Sequence, residues 1–169
     1  MKNIERNKAL ELRKNKNKDI SSKNVIEKLI SSNILDKFTN IGIYYPIGNE
    51  INIMDLVNIY PNKRFYLPIT REEISFVEYN LNDKLVKGPF KTLEPVGDEV
   101  SRDLIECFII PCVAISNENK RIGYGKGYYD RYLNGYKGYK IGVCYIESGD
   151  IDIKLDSYDV VLDCKILGW

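Results

Sequence analysis

Along the chain the spacing of apolar positions changes several times between a helical period and the period of a strand, and each change marks a new element. Residues 2–18 mix Lys, Arg and Glu with isolated apolar positions, which predicts an exposed basic helix. A second helix is predicted next, with Ser21 and Ser22 able to cap it and Val25, Ile26, Leu29, Ile30 and Ile34 on one face. Ile41 to Tyr45 is a short apolar run ended by Pro46 and reads as a buried strand. Residues 53–60 return to a helical pattern, and 64–67 read as a strand. Over 74–81, Ile74, Phe76 and Glu78 alternate with Ser75, Val77 and Tyr79, the pattern of a half-buried strand. The stretch 82–103 carries Gly88, Pro89, Pro95 and Gly97 and predicts a long functional loop. Cys107 to Ile110 is apolar throughout, as a central strand covered on both faces must be. A helix from about Tyr128 and strands over 139–145 and 159–162 complete the list. Such alternation predicts a sheet flanked by helices, and the lack of repeats or a second core predicts one domain over 1–169.

Composition narrows the chemistry. The 44% hydrophobic and 29% charged content is that of an ordinary globular protein, and a net charge of +1 gives no field for nucleic acid or membrane. Residues 1–28 nevertheless carry nine Lys/Arg against four Asp/Glu, and residues 147–163 carry six acids against one lysine. The chain has no histidine, so Ser-His-Asp and Cys-His catalysis and His-ligated zinc are excluded. Four cysteines without a C-x-x-C pair read as free thiols of a reducing cytosol. The longest uncharged apolar run, Cys107 to Ile115, is about half a membrane span. With no apolar leader at the N-terminus, the expected location is cytoplasmic.

One segment carries most of the functional signal: Arg121-Ile122-Gly123-Tyr124-Gly125-Lys126-Gly127-Tyr128-Tyr129-Asp130-Arg131. Glycines at alternate positions allow backbone amides to converge on an anion, and a helix beginning at Tyr128 would add its dipole. Arg121, Lys126 and Arg131 supply cations, and Asp130 a hard oxygen ligand for magnesium. The segment is neither a P-loop nor a dinucleotide fingerprint, so spacing says only that a metal-bound polyphosphate fits. Tyr124 or Tyr128 reads either as packing or as a wall for a flat heterocycle. Lys2 and Arg6, at i and i+4, project from one helix face. Glu50 sits just past a strand end, and Asp156 and Asp159 are either solvated charges or partners of Asp130 at a metal.

These residues occur in a recognisable order. Lys2-x-x-x-Arg6, Glu50 in Gly48-Asn49-Glu50-Ile51, Leu93-Glu94-Pro95, Pro111-Cys112-Val113-Ala114 with the glycine segment, and Asp156-x-x-Asp159 together resemble the 5-formyltetrahydrofolate cyclo-ligase family, over nearly the whole chain. The resemblance implies a single-domain three-layer α/β/α sandwich with a mainly parallel sheet, of the CoA-transferase-like type, with the basic helix of residues 1–20 packed on it. It implies ATP contacts from Lys2, Arg6 and residues 121–129 (Arg121, Ile122, Gly123, Tyr124, Gly125, Lys126, Gly127, Tyr128 and Tyr129). Folate would meet Tyr45, Glu50 and the stretch Gly125, Lys126, Gly127 and Tyr128, and magnesium would sit on Asp130 and Asp156. Lys126, Arg121 and Tyr128 would carry the catalysis. The implied reaction is an ATP- and magnesium-dependent closure of 5-formyltetrahydrofolate to 5,10-methenyltetrahydrofolate through a phosphorylated formyl group. A monomer acting on these two small molecules is expected, without nucleic acid or membrane. Cys112, Ser116 and Asn119 stand where the family has glycine, aspartate and a turn glycine. Loss of the carboxylate at 116, weakening the orientation of Arg121, would suit the alternative of a weakened ATP- or folate-binding regulator.

Overall fold

The computed structural model describes residues 1–169. The first helix, α1, is Lys2–Arg13, and α2 is Lys18–Ser31. They are separate helices: Asn17, not Ser21 or Ser22, caps α2, its side chain accepting from the Ile20 amide at 3.2 Å. Ser21 and Ser22 lie buried inside α2, where Ser21 Oγ donates to the Trp169 carbonyl and Ser22 Oγ accepts from the Asn52 amide. Both hydroxyls are spent on long-range contacts, so neither is free to cap.

Next come strand β1 (Asn40–Gly42), the single turn α3 (Leu56–Ile59) and strands β2 (Arg64–Thr70) and β3 (Ile74–Tyr79). The stretch expected to be a loop folds instead. Strands β4 (Leu85–Lys87) and β5 (Leu93–Pro95) form an antiparallel ribbon, and β6 (Glu99–Val100) pairs with β3. Gly88 and Pro89 thus mark a hairpin tip, and the strands on either side are too short to show periodicity. Strand β7 is Cys107–Pro111, and β8 (Ala114–Ile115) and β9 (Arg121–Ile122) make a second small hairpin. Asn119 turns that hairpin with a φ of 61°, a left-handed conformation asparagine tolerates. Helix α4 (Tyr128–Tyr132), β10 (Tyr139–Tyr145) and β11 (Cys164–Gly168) follow. The last strand is therefore 164–168. Val160 and Leu162 are buried by packing while Val161 is exposed, and the only pairing of this stretch is the isolated bridge of Val161 with Lys120.

The main sheet has the order β11-β10-β7-β1-β2-β3-β6, with all pairs from β11 to β2 parallel and β3 and β6 antiparallel. The period of two divides its side chains cleanly between two faces. Ile41, Ile43, Phe65, Leu67, Ile109, Ile141 and Val143 pack under α2 and α3. Tyr66, Phe76, Phe108, Ile110 and Cys144 pack against α4 and its neighbours Leu133 and Tyr136. The result is a three-layer α/β/α sandwich with a mainly parallel sheet. A third, smaller cluster joins Ala9 of α1 to Val113, Ala114 and Ile122 of the β8–β9 hairpin.

Chain order fixes where a ligand fits. The chain runs outward from β1 to β2, β3 and β6, then returns to β7 on the other side of β1. The segments leaving β1 and β7 diverge there, which opens a crevice at the carboxyl ends of these strands.

Candidate active site

That crevice is a cleft of about 530 Å³. Its walls come mainly from the N-terminal end of α1, the segment after β1, the end of β2, the tip of the β4–β5 ribbon, the glycine loop after β9 with the start of α4, and the segment at Tyr158 and Asp159.

The glycine loop is shaped by close approach as well as by turns. Gly125 and Gly127 have φ of 98° and 73°, which side chains disfavour. Gly123 is required for another reason: a methyl group there would collide with the Arg121 guanidinium. Arg121 is only 8% exposed, donates from Nε to the Pro111 carbonyl at 2.8 Å, and lies 4.7 Å from the Tyr129 ring centre. Both contacts aim its remaining donors at the cleft. Ser116 has no part in holding it. Ser116 Oγ accepts from the Glu118 and Lys120 amides at 3.3 and 3.1 Å and so supports the β8–β9 turn.

Lys126 lines the cleft with its ammonium 5.6 Å from the Phe90 ring centre and has no carboxylate partner. Arg131 does not join it. Its Nε donates to Glu73 at 3.0 Å and Nη1 to the Lys126 carbonyl at 2.9 Å, which braces the loop from outside. Helix α4 spans five residues, so the dipole it could offer an anion is short, and the loop amides and cations are the main donors facing the cleft. Arg6 Nε donates to the Gly123 carbonyl at 2.5 Å, tying α1 to the loop. Tyr124, Tyr128 and Tyr129 all line the cleft, whereas Ile122 is wholly buried and offers a ligand only its backbone.

On the other side stand Tyr45 and Glu50. Glu50 is 6% exposed and accepts from the Ile47 amide at 2.8 Å. Burial pushes its carboxyl above the usual carboxylate range, and the Ile47 hydrogen bond, Arg13 and Arg121 pull it back.

The aspartates separate. Asp130 lines the cleft, with Oδ1 on the Val160 amide at 3.0 Å and Oδ2 accessible and unpartnered. Asp159 is also in the wall, but its oxygens are taken by Lys2 Nζ at 2.6 Å and the Asp156 amide at 2.8 Å. Asp156 lies outside the cleft lining, more than half exposed, and accepts from the Tyr158 hydroxyl. No three His, Cys, Asp or Glu side chains converge anywhere. This donor set fits a magnesium held mainly by phosphate oxygens and water with Asp130 as its protein carboxylate, since magnesium needs only one or two.

The sequence profile of the 5-formyltetrahydrofolate cyclo-ligase family matches residues 2–163. The chain belongs to this family. Among its cyclo-ligase relatives, the 5-formyltetrahydrofolate cyclo-ligase of Mycoplasma pneumoniae is 34% identical over 134 residues, covering 75% of this chain and 71% of the relative. That of Mycoplasma genitalium is 32% identical, with coverage of 75% and 71%. An NMR structure of Aquifex aeolicus 5,10-methenyltetrahydrofolate synthetase superimposes with a TM-score of 0.86 at 31% identity, over 98% of this chain and 89% of that one. The relatives are enzymes, and the cyclo-ligase fold is the one described here.

Several cleft residues escaped sequence reasoning. Pro68, Thr70, Ile74 and Phe90 line the apolar side. Phe90 adopts a φ of 60° at the tip of the ribbon, rare for a bulky residue, and no periodic pattern announces it. Its only sequence signal is the Gly-Pro that precedes it.

Proposed function

We propose that this chain catalyses ATP- and magnesium-dependent ring closure of 5-formyltetrahydrofolate to 5,10-methenyltetrahydrofolate, with release of ADP and phosphate. The observation that carries this reading is the meeting, in one cleft, of a cation-lined glycine loop with a buried carboxylate across from it.

The formyl oxygen is a poor leaving group. Its attack on the γ-phosphorus expels ADP and gives an iminium phosphate. The neighbouring amine nitrogen then attacks the formyl carbon and loses its proton, and phosphate departs with the oxygen. Such chemistry needs positioning and charge neutralisation rather than a side-chain nucleophile, in keeping with a chain that has no histidine. Lys126 and Arg121 stabilise charge on the transferred phosphoryl group, the amides around Gly125 and Gly127 cradle phosphate oxygens, and Lys2 and Arg6 bind the rest of the triphosphate. Asp130 would hold the magnesium, which would neutralise charge on the phosphates when bound. Glu50 accepts hydrogen bonds from the donor edge of the pterin, and Tyr45, Tyr128 and Phe90 flank the ring. The weakened-regulator alternative loses its motive, because Arg121 is oriented without a carboxylate at 116.

The whole chain is read as one domain, acting as a cytoplasmic monomer; no helix is long and apolar enough to cross a membrane. The test mixes purified protein, 5-formyltetrahydrofolate and magnesium-ATP and follows the near-ultraviolet absorbance of the methenyl product. ATP-dependent growth supports the reading, and its absence with both ligands bound overturns it.

A further inference from the structure

We propose that Arg13 is a positioning residue for this reaction, coupling the glycine loop to the carboxylate of Glu50 from behind the cleft. The proposal rests on the cyclo-ligase reading above.

Lys2, Arg6, Ala9 and Arg13 follow one another at spacings of four, three and four, so they form a single stripe along α1. Lys2 and Arg6 end in the cleft, and Ala9 is buried against the β8–β9 hairpin. Arg13 ends the stripe and does not line the cleft at all. It is 8% exposed, an expensive setting for a cation unless something compensates.

Two contacts with Tyr124 do so. Arg13 Nη2 donates to the Tyr124 hydroxyl, and the guanidinium lies 5.4 Å from the Tyr124 ring centre. Its carbonyl accepts from Asn49 Nδ2 at 2.8 Å, beside Glu50 in sequence. Arg13 and Glu50 also line a common small cavity of about 10 Å³ with Tyr44 and Tyr145, roughly the room one water needs. Guanidinium carries five donors, and only one is spent on a protein acceptor here. The rest can serve Glu50 through that cavity. One buried cation therefore touches the middle of the phosphate loop and stands behind the folate-side carboxylate.

Glu50 meets charged and titratable groups from several elements: Arg13 from α1, Lys18 from α2, Tyr44 beyond β1, and Cys112, Arg121, Tyr124 and Tyr129 from the segments after β7. Burial raises its carboxyl, and the Ile47 hydrogen bond and then the Arg13 charge oppose that rise. Removing the cation lets Glu50 hold its proton to higher pH.

The experiment compares wild type, Arg13→Met, Arg13→Lys and Tyr124→Phe as full-length proteins. Carboxyl-labelled glutamate NMR follows Glu50 without ligand, and steady-state kinetics follow both substrates against pH. In Arg13→Met, Glu50 is expected to titrate at higher pH, the acid limb of kcat/KM for 5-formyltetrahydrofolate to move the same way, and the KM for ATP to rise roughly tenfold. Arg13→Lys keeps the charge and restores the acid limb. Tyr124→Phe raises the KM for ATP and leaves the limb in place. An unchanged Glu50 titration in Arg13→Met, or losses equal at every pH, overturns the proposal. If Arg13→Met does not fold, an ATP KM in Tyr124→Phe equal to wild type overturns it. The NMR titration needs no turnover, so it separates failure of this coupling from failure of the cyclo-ligase reading.

Discussion

At the scale of single residues, the cleft is built from groups that cost stability and contribute chemistry. Glu50 shows this most clearly. Its carboxyl is raised by burial, so its effect on stability favours the protein at low pH and is lost as pH rises through its folded value. Glu50→Gln is therefore expected to melt above wild type at pH 8, with the gap closing toward pH 4, while its KM for the folate rises roughly tenfold or more. Melting curves across pH with parallel kinetics check both halves. Lys126 pairs with no carboxylate and its ammonium meets only the Phe90 ring. Lys126→Ala should lower kcat by about 10²-fold or more with its melting temperature unchanged. Gly123→Ala acts indirectly: the new methyl must push aside the flexible end of Arg121. The expectation is a loss of at least about tenfold in kcat with little effect on thermal stability. A melting temperature that falls in step with activity would instead mean that the loop backbone had rearranged.

At the scale of elements, the β4–β5 ribbon is the piece most dependent on one side chain. Glu94 is buried and accepts from the Thr70 amide at 2.8 Å and from Arg71 Nη1 at 2.9 Å, pinning the ribbon to the turn between β2 and β3. Gly88 lies so close that a methyl there would collide with the Glu94 carboxyl. Glu94→Ala leaves the Thr70 amide without its acceptor, at a cost of about 1–3 kcal/mol. It should lower the melting temperature by roughly 2–10 °C and raise the folate KM, because Phe90 and Leu93 are carried on the ribbon. Differential scanning fluorimetry and initial rates read the two effects separately. Sequence reading took this ribbon for a loop because each strand has three residues, too few for alternation to stand out, and its own Glu94 is held by partners distant in sequence, Thr70 and Arg71. The central strands were easier, since uninterrupted apolar runs such as Cys107–Pro111 have few other homes.

At the scale of the whole molecule, the cleft draws its walls from α1, the two small hairpins and the main sheet, so saturating magnesium-ATP, if bound there as proposed, should stabilise the fold globally. At about 100 times its Kd, ATP contributes about 2.7 kcal/mol, a rise in melting temperature of roughly 5–10 °C. The rise should vanish with a chelator, and a rise that survives chelation would remove the metal from ATP binding. The amino-acid sequence by itself determined the alternation of helices and strands, the place of the glycine loop and the family pattern that orders Lys2, Glu50 and Asp130, because these are local spacings or ordered motifs. It could not determine that Arg131 stays outside the cleft and braces the loop from behind, that Asp159 rather than Asp156 stands in the wall, or that the stretch 159–162 is no sheet strand. Each of those depends on which partner reaches a group first: Glu73 for Arg131, Lys2 for Asp159, and β11 for the open edge of β10. Competition among partners far apart in sequence is settled only when the chain is folded, and local spacing carries no record of it.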